Sequence, residues 1–394
     1  MKSIERIYII LAGLVLGLIA LVLVFKGNPA NMGFCIACFE RDIVGALGLH
    51  RASIVQYIRP EILGLVFGAL IAALIWKEFD VKAGSAPVTR FIIGVFVMIG
   101  ALVFLGCPLR MVLRMGGGDL NAVVALGGFI FGIVVGVIFL KAGFNLGAAR
   151  DARKIDGWIF PVLMVVLLVF LLWKPVFNPG SQVTFKGKPV EVKGEKVMSA
   201  PGPIFFSKTP AGAPAKVPGD MFAPIWLSLL GGVAVGLAAQ RTRLCLAGGI
   251  RDIILVKDSY LLNGFLAILA IVIIGNLILG KFTLGFENQP IAHTEHLWNF
   301  LGMALVGVGS IFLGGCPLRQ LILAGSGNTD SVMAVLGMMA GAAFAHNFVF
   351  AAGKLPSGVM GVPEYGKWAV IVGFVVLLII GLTNSDIFGA KKAA

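Results

Sequence analysis

The chain has 394 residues, is 58% hydrophobic and only 13% charged, and carries a formal net charge of +13. A water-soluble domain holds about a quarter charged residues, so a soluble globular class is excluded and a membrane protein is expected. The basic excess sits mainly in short loops between apolar runs, the pattern of topogenic charge rather than of a nucleic-acid surface, and it implies a modest attraction for anions.

Crossing a bilayer as a helix takes about 20 mostly apolar residues. In chain order, ten stretches reach or approach that length: residues 7–25, 61–76, 91–107, 120–140, 158–177, 222–239, 260–281, 297–315, 331–352 and 367–383. The first resembles a signal peptide, but its apolar run is long and no small-residue cleavage site follows it, so it is expected to be a retained span. Four shorter apolar pieces, at 33–48, 108–115, 243–256 and 317–324, cannot cross. Short, partly polar segments among spans are tolerated only where protein or a cavity surrounds them, which makes these four the places to look for function. Gly-x-x-x-Gly spacings at Gly13/Gly17, Gly64/Gly68, Gly128/Gly132/Gly136 and Gly337/Gly341 predict close helix–helix approach in lipid.

Residues 178–220 break the pattern. The segment is rich in Pro, Gly and Lys, and 183–192 reads as a small hairpin. It divides the chain into a membrane repeat over 1–177, an extramembrane linker over 178–220 and a second membrane repeat over 221–394. The repeat shows in the motifs. Cys35 and Cys245 lie 210 positions apart, each followed by Arg-Asp-Ile (Arg41-Asp42-Ile43 and Arg251-Asp252-Ile253), while Cys107 and Cys316 lie 209 apart, each opening Cys-Pro-Leu-Arg. About five spans per half is an odd number, which turns the second half upside down relative to the first. The expected fold is therefore all-α and polytopic: two inverted repeats with short re-entrant or broken helices at the centre, an architecture that recurs in transporters. Loop charges, including Lys77, Lys82, Arg90, Lys141, Arg150, Arg241 and Arg243, place both termini in the cytoplasm.

Gly106-Cys107-Pro108-Leu109-Arg110 and Gly315-Cys316-Pro317-Leu318-Arg319 carry the strongest chemical signal. Proline suits the first helical position, where its missing N–H would be unpaired anyway. Each cysteine then caps a helix at the positive end of its dipole, a position that favours thiolate, with Arg110 or Arg319 adding positive charge. The bland alternative is a tight helix break with an inert buried thiol. One copy would favour that alternative; two copies at related positions favour function.

Cys35 and Cys245 form the second pair of candidates. Beside them Arg41/Asp42 and Arg251/Asp252 place charges at membrane depth, where mutual neutralisation as structural ion pairs is the better reading. Cys35 and Cys38 make a C-x-x-C, but no second such motif or nearby histidine completes a four-ligand zinc site, so no metal and no cofactor is expected. Among the histidines, His293 and His296 read as interfacial residues in water, and His346 as either a functional group or a neutral ring bonded to a helix carbonyl. The glycine turns Gly116-Gly-Gly-Asp119 and Gly325-Ser-Gly-Asn328 read as helix ends followed by caps for the next span, with anion binding by exposed N–H groups as a further possibility.

The duplicated Gly-Cys-Pro-Leu-Arg, the earlier cysteine in each half and the glycine-rich spans together resemble the YeeE/YedE family of sulfur-compound transporters. The likeness covers about 1–177 and 222–383. The Cys35-Ile-Ala-Cys38-Phe-Glu-Arg-Asp motif and the chain length look closest to the YedE branch, to which selenium transport is attributed. The resemblance implies an hourglass-shaped inverted repeat in a bacterial inner membrane. It also implies that Cys35, Cys107, Cys245 and Cys316 lie near the narrow centre and handle the substrate's sulfur by hydrogen bonding, without lasting covalent capture. Cys38 and the long linker depart from the thiosulfate-importing pattern. The expected function is non-enzymatic import of a selenite-like or thiosulfate-like anion along a path lined by Cys107, Cys316, Cys35, Cys245 and Cys38, with Arg110 and Arg319 drawing it in. The mirror-related Cys107 and Cys316 are expected to meet at the constriction. Two alternatives stand beside this: a membrane sulfur or selenium transferase forming a cysteine persulfide or perselenide, and a non-catalytic subunit docking a cytoplasmic chalcogen carrier. The expected partners are the anion, the lipid bilayer and such a carrier, with no nucleic acid.

Overall fold

The computed structural model describes residues 2–50, 52, 55–173, 190–192, 195–199, 207–208 and 222–388. The first half runs α1 (Lys2–Phe25), short α2 (Ile36–Ala46), α3 (Pro60–Ile75), α4 (Pro87–Phe104), short α5 (Pro108–Gly116), α6 (Leu120–Lys141) and α7 (Lys154–Trp173). The second repeats the order with α8 (Ile225–Thr242), short α9 (Leu246–Val256), α10 (Tyr260–Ile278), α11 (His296–Phe312), short α12 (Pro317–Gly325), α13 (Thr329–Asn347) and α14 (Glu364–Thr383). Each of the ten long stretches and the four short pieces read from the sequence contains a helix, with 174–177 outside the described residues. The chain is an all-α polytopic membrane protein.

Among the described residues, 8 stretches are long and apolar enough to cross a membrane. Three of them run through a break into a short helix: Pro87–Gly116, Ile225–Val256 and His296–Gly325. Two expected spans fall outside this set. α3 has only 16 residues, and α13 carries Asp330, Ser331, His346 and Asn347, which dilute its hydropathy. The stretches containing α4–α5 and α11–α12 are each 89% buried against 28–44% for α1, α6, α14 and the rest. These two broken helices form the centre, and the others wrap them.

Strands are few and short. β1 (Lys82–Ala83) pairs with β2 (Arg150–Asp151), and β6 (Gly353–Lys354) with β7 (Met360–Gly361), all antiparallel. In the linker, β3 (Val190–Val192) pairs forward with β4 (Glu195–Ser199), which pairs with β5 (Ser207–Lys208). The hairpin expected over 183–192 thus contributes only its second arm, to a different pairing; 183–189 lies outside the described residues.

The glycine motifs sit where helices touch, and each seam joins one half to the other. A Cβ on Gly64 or Gly68 of α3 would lie 2.1 Å from a carbonyl oxygen of α8, and one on Gly236 of α8 would lie 2.2 Å from Leu65 O. Gly128 and Gly132 of α6 approach Phe300 O and Ala304 O of α11 to 2.0 Å on the same measure. Gly337 of α13 does the same at Phe91 of α4, and Gly13 of α1 at Gly264 of α10, both at 2.1 Å. Only glycine lets backbones come this close, and van der Waals packing of this kind drives helix association in lipid. Exchanging α1–α7 for α8–α14 maps the α3–α8 seam onto α10–α1, and the α6–α11 seam onto α13–α4. The outermost helices break the exchange: α7 packs on α3, α12 and α13, whereas α14 packs on α4 and α11.

Candidate functional site

All four short helices begin at a cysteine. Cys35 caps α2 with φ −154° and ψ 111°, and Cys245 caps α9 with φ −155° and ψ 115°. Each sulfur accepts a hydrogen bond at 3.3 Å from the backbone N–H three residues on, of Cys38 and Gly248 respectively. Cys107 and Cys316 cap α5 and α12, with Pro108 and Pro317 at the first helical position. The sequence signals for the second pair of caps, cysteine then proline, are explicit. For Cys35 and Cys245 no such marker exists, and their capping role goes unread in the sequence.

The caps come together in pairs within each half. The Ile36 N–H donates to Cys107 Sγ at 3.3 Å, which sets the Cys107 thiol against the first turn of the helix that Cys35 caps. In the second half Cys245 Sγ lies 3.6 Å from Cys316 Sγ and accepts from the Cys316 N–H at 3.4 Å. Two helix N-termini therefore abut at each thiol pair. The thiol hydrogen bonds among the described residues run within each half. All five cysteines are buried and free.

An arginine stands beside each pair. A Cβ on Gly106 would come within 3.1 Å of the Arg110 side chain, and one on Gly315 within 2.8 Å of Arg319, so the glycine before each cysteine leaves room for the arginine to fold back over the helix break. Arg110 is 0% exposed. Its guanidinium donates to the carbonyls of Leu105, Asn31 (3.3 Å) and Ile291 (3.4 Å) and to Cys38 Sγ at 3.7 Å. No carboxylate pairs with it among the described residues. A buried cation held by carbonyl dipoles and a thiol leaves a local surplus of positive potential. The Ile291 carbonyl reaches it from a backbone at φ 50°, a left-handed conformation that a β-branched residue adopts only under strain.

Arg319 is placed differently. It is half-buried, donates to Gln240 Oε1 at 3.4 Å, and lines a polar cavity of about 540 Å³ with Lys77, Glu78, Asp80, Gln240 and Arg243. Arg319 opens to a cavity, whereas Arg110 is fully buried.

The Arg-Asp pairs also differ between halves. Asp42 accepts from Arg41 Nε at 2.9 Å and Nη2 at 2.7 Å, and from Arg59 Nε at 2.6 Å. Arg59 stacks on Phe39 and Phe222, with its guanidinium carbon 4.3 Å and 3.7 Å from the ring centroids. Asp252 meets Arg251 alone, at 2.8 Å, with 26% and 30% of the two side chains exposed.

Several buried polar residues have no motif to announce them. Arg114 bonds Asp119 at 2.6 Å and Phe104 O at 2.8 Å. Glu61 accepts from Asn28 at 2.7 Å and Ser228 at 3.1 Å. Glu40 is buried with no partner for either oxygen among the described residues. The readable signal for all of them is a charged residue at membrane depth, taken one by one. His293, expected in water, is instead buried and its Nε2 lies 2.8 Å from Val103 O, because the α10–α11 loop folds inward; His296 remains exposed. His346 stacks on His50 with ring centroids 4.5 Å apart.

The glycine turns dock loops from the opposite half. The Thr283 and Gly285 N–H groups donate to the Gly117 and Gly118 carbonyls at 2.9 and 3.0 Å. Asp330, beyond the second turn, accepts from Gly84 N at 3.0 Å and Ser85 N at 3.2 Å, and Thr329 Oγ1 donates to Lys82 O at 2.7 Å. Asp119 and Asn328 cap α6 and α13. These contacts give the turns a docking role.

Comparison with known proteins places the chain further. The family described as sulphur transport matches residues 241–385. A thiosulfate transporter, TsuA, of Spirochaeta thermophila is 32% identical over 113 residues, 28% of this chain and 33% of that protein. The TsuA of Escherichia coli is 28% identical over 119 residues, 30% of this chain and 33% of its own length. An uncharacterised protein of Methanocaldococcus jannaschii is 35% identical over 97 residues, 22% of this chain and 92% of its own length. The matched stretch thus spans 33% of each TsuA protein.

Proposed function

The chain belongs to the YeeE/YedE sulphur-transport family, and from that premise we propose that it imports a small sulfur- or selenium-containing anion across a bacterial inner membrane. The observation that carries this reading is the pair of thiol-capped helix junctions, Cys107 against the helix of Cys35 and Cys316 against Cys245, each beside an arginine, of which the buried Arg110 has no carboxylate partner among the described residues. An anion with a soft terminal atom suits such a site. Its charge completes Arg110, and its sulfur or selenium exchanges weak hydrogen bonds with thiols and helix N–H groups. Weak contacts at successive places favour release as well as entry.

In this reading the halves are inverted repeats, one over 1–177 and one over 221–394, with both termini cytoplasmic. The 540 Å³ cavity at Arg319 then faces the cytoplasm, because Lys77 and Arg243 line it and positive loops stay inside. The buried Arg110 then lies toward the outer side. The anion passes Arg110 and Cys38, the Cys35–Cys107 pair and the Cys245–Cys316 pair in that order. Selenite and thiosulfate are the two probes, since Cys38, which aligns with Gly248, adds a third thiol on the outer side.

The test is uptake of labelled thiosulfate and selenite by vesicles carrying the purified protein. Cys107→Ala and Cys316→Ala are expected to reduce uptake at least tenfold, and unchanged uptake in both refutes the cysteine-lined path. Mass spectrometry after exposure separates transport from transfer, because a transferase retains a persulfide or perselenide adduct on cysteine.

A further inference from the structure

Glu40 lies on α2, two residues beyond Cys38, and is 2% exposed. Neither carboxyl oxygen meets a hydrogen-bond donor among the described residues. Every other carboxylate this deep is engaged: Asp42 by Arg41 and Arg59, Asp119 by Arg114, and Glu61 by Asn28 and Ser228. The elements packed on α2 are α3, α4, α12 and α13. Their ionisable side chains are Glu61, Arg90, Arg319, Asp330 and His346, and none is within hydrogen-bonding reach of Glu40. On α2 itself Arg41 is committed to Asp42, and nearby His50 to Arg41 O at 2.9 Å.

A bare buried carboxylate is among the most unfavourable groups a membrane protein can hold, and packing does not require one here. The equivalent position in the second half, 210 residues on, is Ile250. An apolar, partly exposed side chain therefore stands at the matching position. What isoleucine cannot do is gain and lose a proton.

From this we infer that Glu40 is a proton-binding site that couples proton movement to passage of the anion. The inference rests on the transport reading above and adds its energy source. The carboxylate takes a proton from the outer water, carries it as the neutral acid while the anion passes, and releases it to the inner water. No bond to sulfur forms or breaks and no electron moves.

The experiment uses the full chain in sealed vesicles with the membrane potential clamped at zero, and thiosulfate and selenite as probes. One proton per anion makes a gradient of one pH unit, acid outside, worth about tenfold in accumulation. Wild type is expected to accumulate anion about tenfold over the gradient-free control. Glu40→Gln and Glu40→Ile are expected to equilibrate the anion with no response to the gradient; the isoleucine variant copies the second half and guards against a folding defect. Wild type that equilibrates without responding to the gradient, or variants that still accumulate tenfold, overturns the inference and leaves transport standing. Wild type that carries neither anion overturns the transport reading, and this inference with it.

Discussion

Replacing Asp42 with alanine is expected to destabilise the protein by about 3–5 kcal/mol, the usual cost of removing one partner from a buried ion pair. The magnitude follows from what is left behind. Asp42 accepts three charge-assisted bonds, at 2.9 and 2.7 Å from Arg41 and 2.6 Å from Arg59, in a site closed to water. Without it, two guanidinium groups share the site with no anion. The same Arg-Asp-Ile motif recurs at Arg251-Asp252-Ile253, but there a single arginine pairs with an aspartate and 26–30% of the side chains is exposed. Water replaces the lost partner, so Asp252→Ala is expected to cost no more than about 1 kcal/mol. A gap of about 3 kcal/mol between the variants is roughly 150-fold in the folded-to-unfolded ratio. Unfolding by SDS titration in mixed micelles, read by circular dichroism, measures both. Equal losses, or a loss below about 1 kcal/mol for Asp42→Ala, would refute the claim that burial separates these two pairs.

Gly132→Ala places a Cβ 2.0 Å from Ala304 O, whereas Gly127→Ala meets nothing closer than a Phe300 ring atom at 3.8 Å; the first is expected to lower the thermal midpoint in detergent by several degrees and the second to leave it unchanged. All five cysteines are buried, so a bulky maleimide counted by intact mass is expected to label fewer than one site per native chain and five after SDS. Arg319 lines an open cavity, and Arg319→Ala is expected to slow anion uptake with little change in thermal stability. Arg110 braces three carbonyls from three separate segments, so Arg110→Ala is expected to lower both; vesicle uptake and thermal scans on the two variants check the contrast.

Much of the architecture is legible in the sequence because lipid imposes a simple length rule. Each apolar stretch became a helix, and even α3, at 16 residues, was visible as a hydrophobic run. The glycine spacings announce the seams, but not their partners: nothing local in Gly64 and Gly68 says that α8, rather than α4, lies against them. The thiol pairing is hidden for the same reason. Cys35 and Cys107 are brought together by two chain breaks whose angles no spacing encodes. Proline after Cys107 and Cys316 predicts their caps, while Cys35 and Cys245 cap helices that begin with isoleucine and leucine and carry no such sign. Asp42 and Asp252 look identical in sequence. Their difference comes from Arg59, 17 residues downstream of Asp42, and from Phe222, which starts the second half.

The seams have a bearing on how the chain is made. The glycines of α1 meet α10, and those of α3 meet α8. When the ribosome has finished the first half, those faces are complete but unmatched. The early helices must wait in the lipid, small-residue stripes uncovered, until the later ones are threaded in. Separate synthesis of the two halves should therefore yield fragments that quality-control proteases remove, and joint synthesis should rescue both.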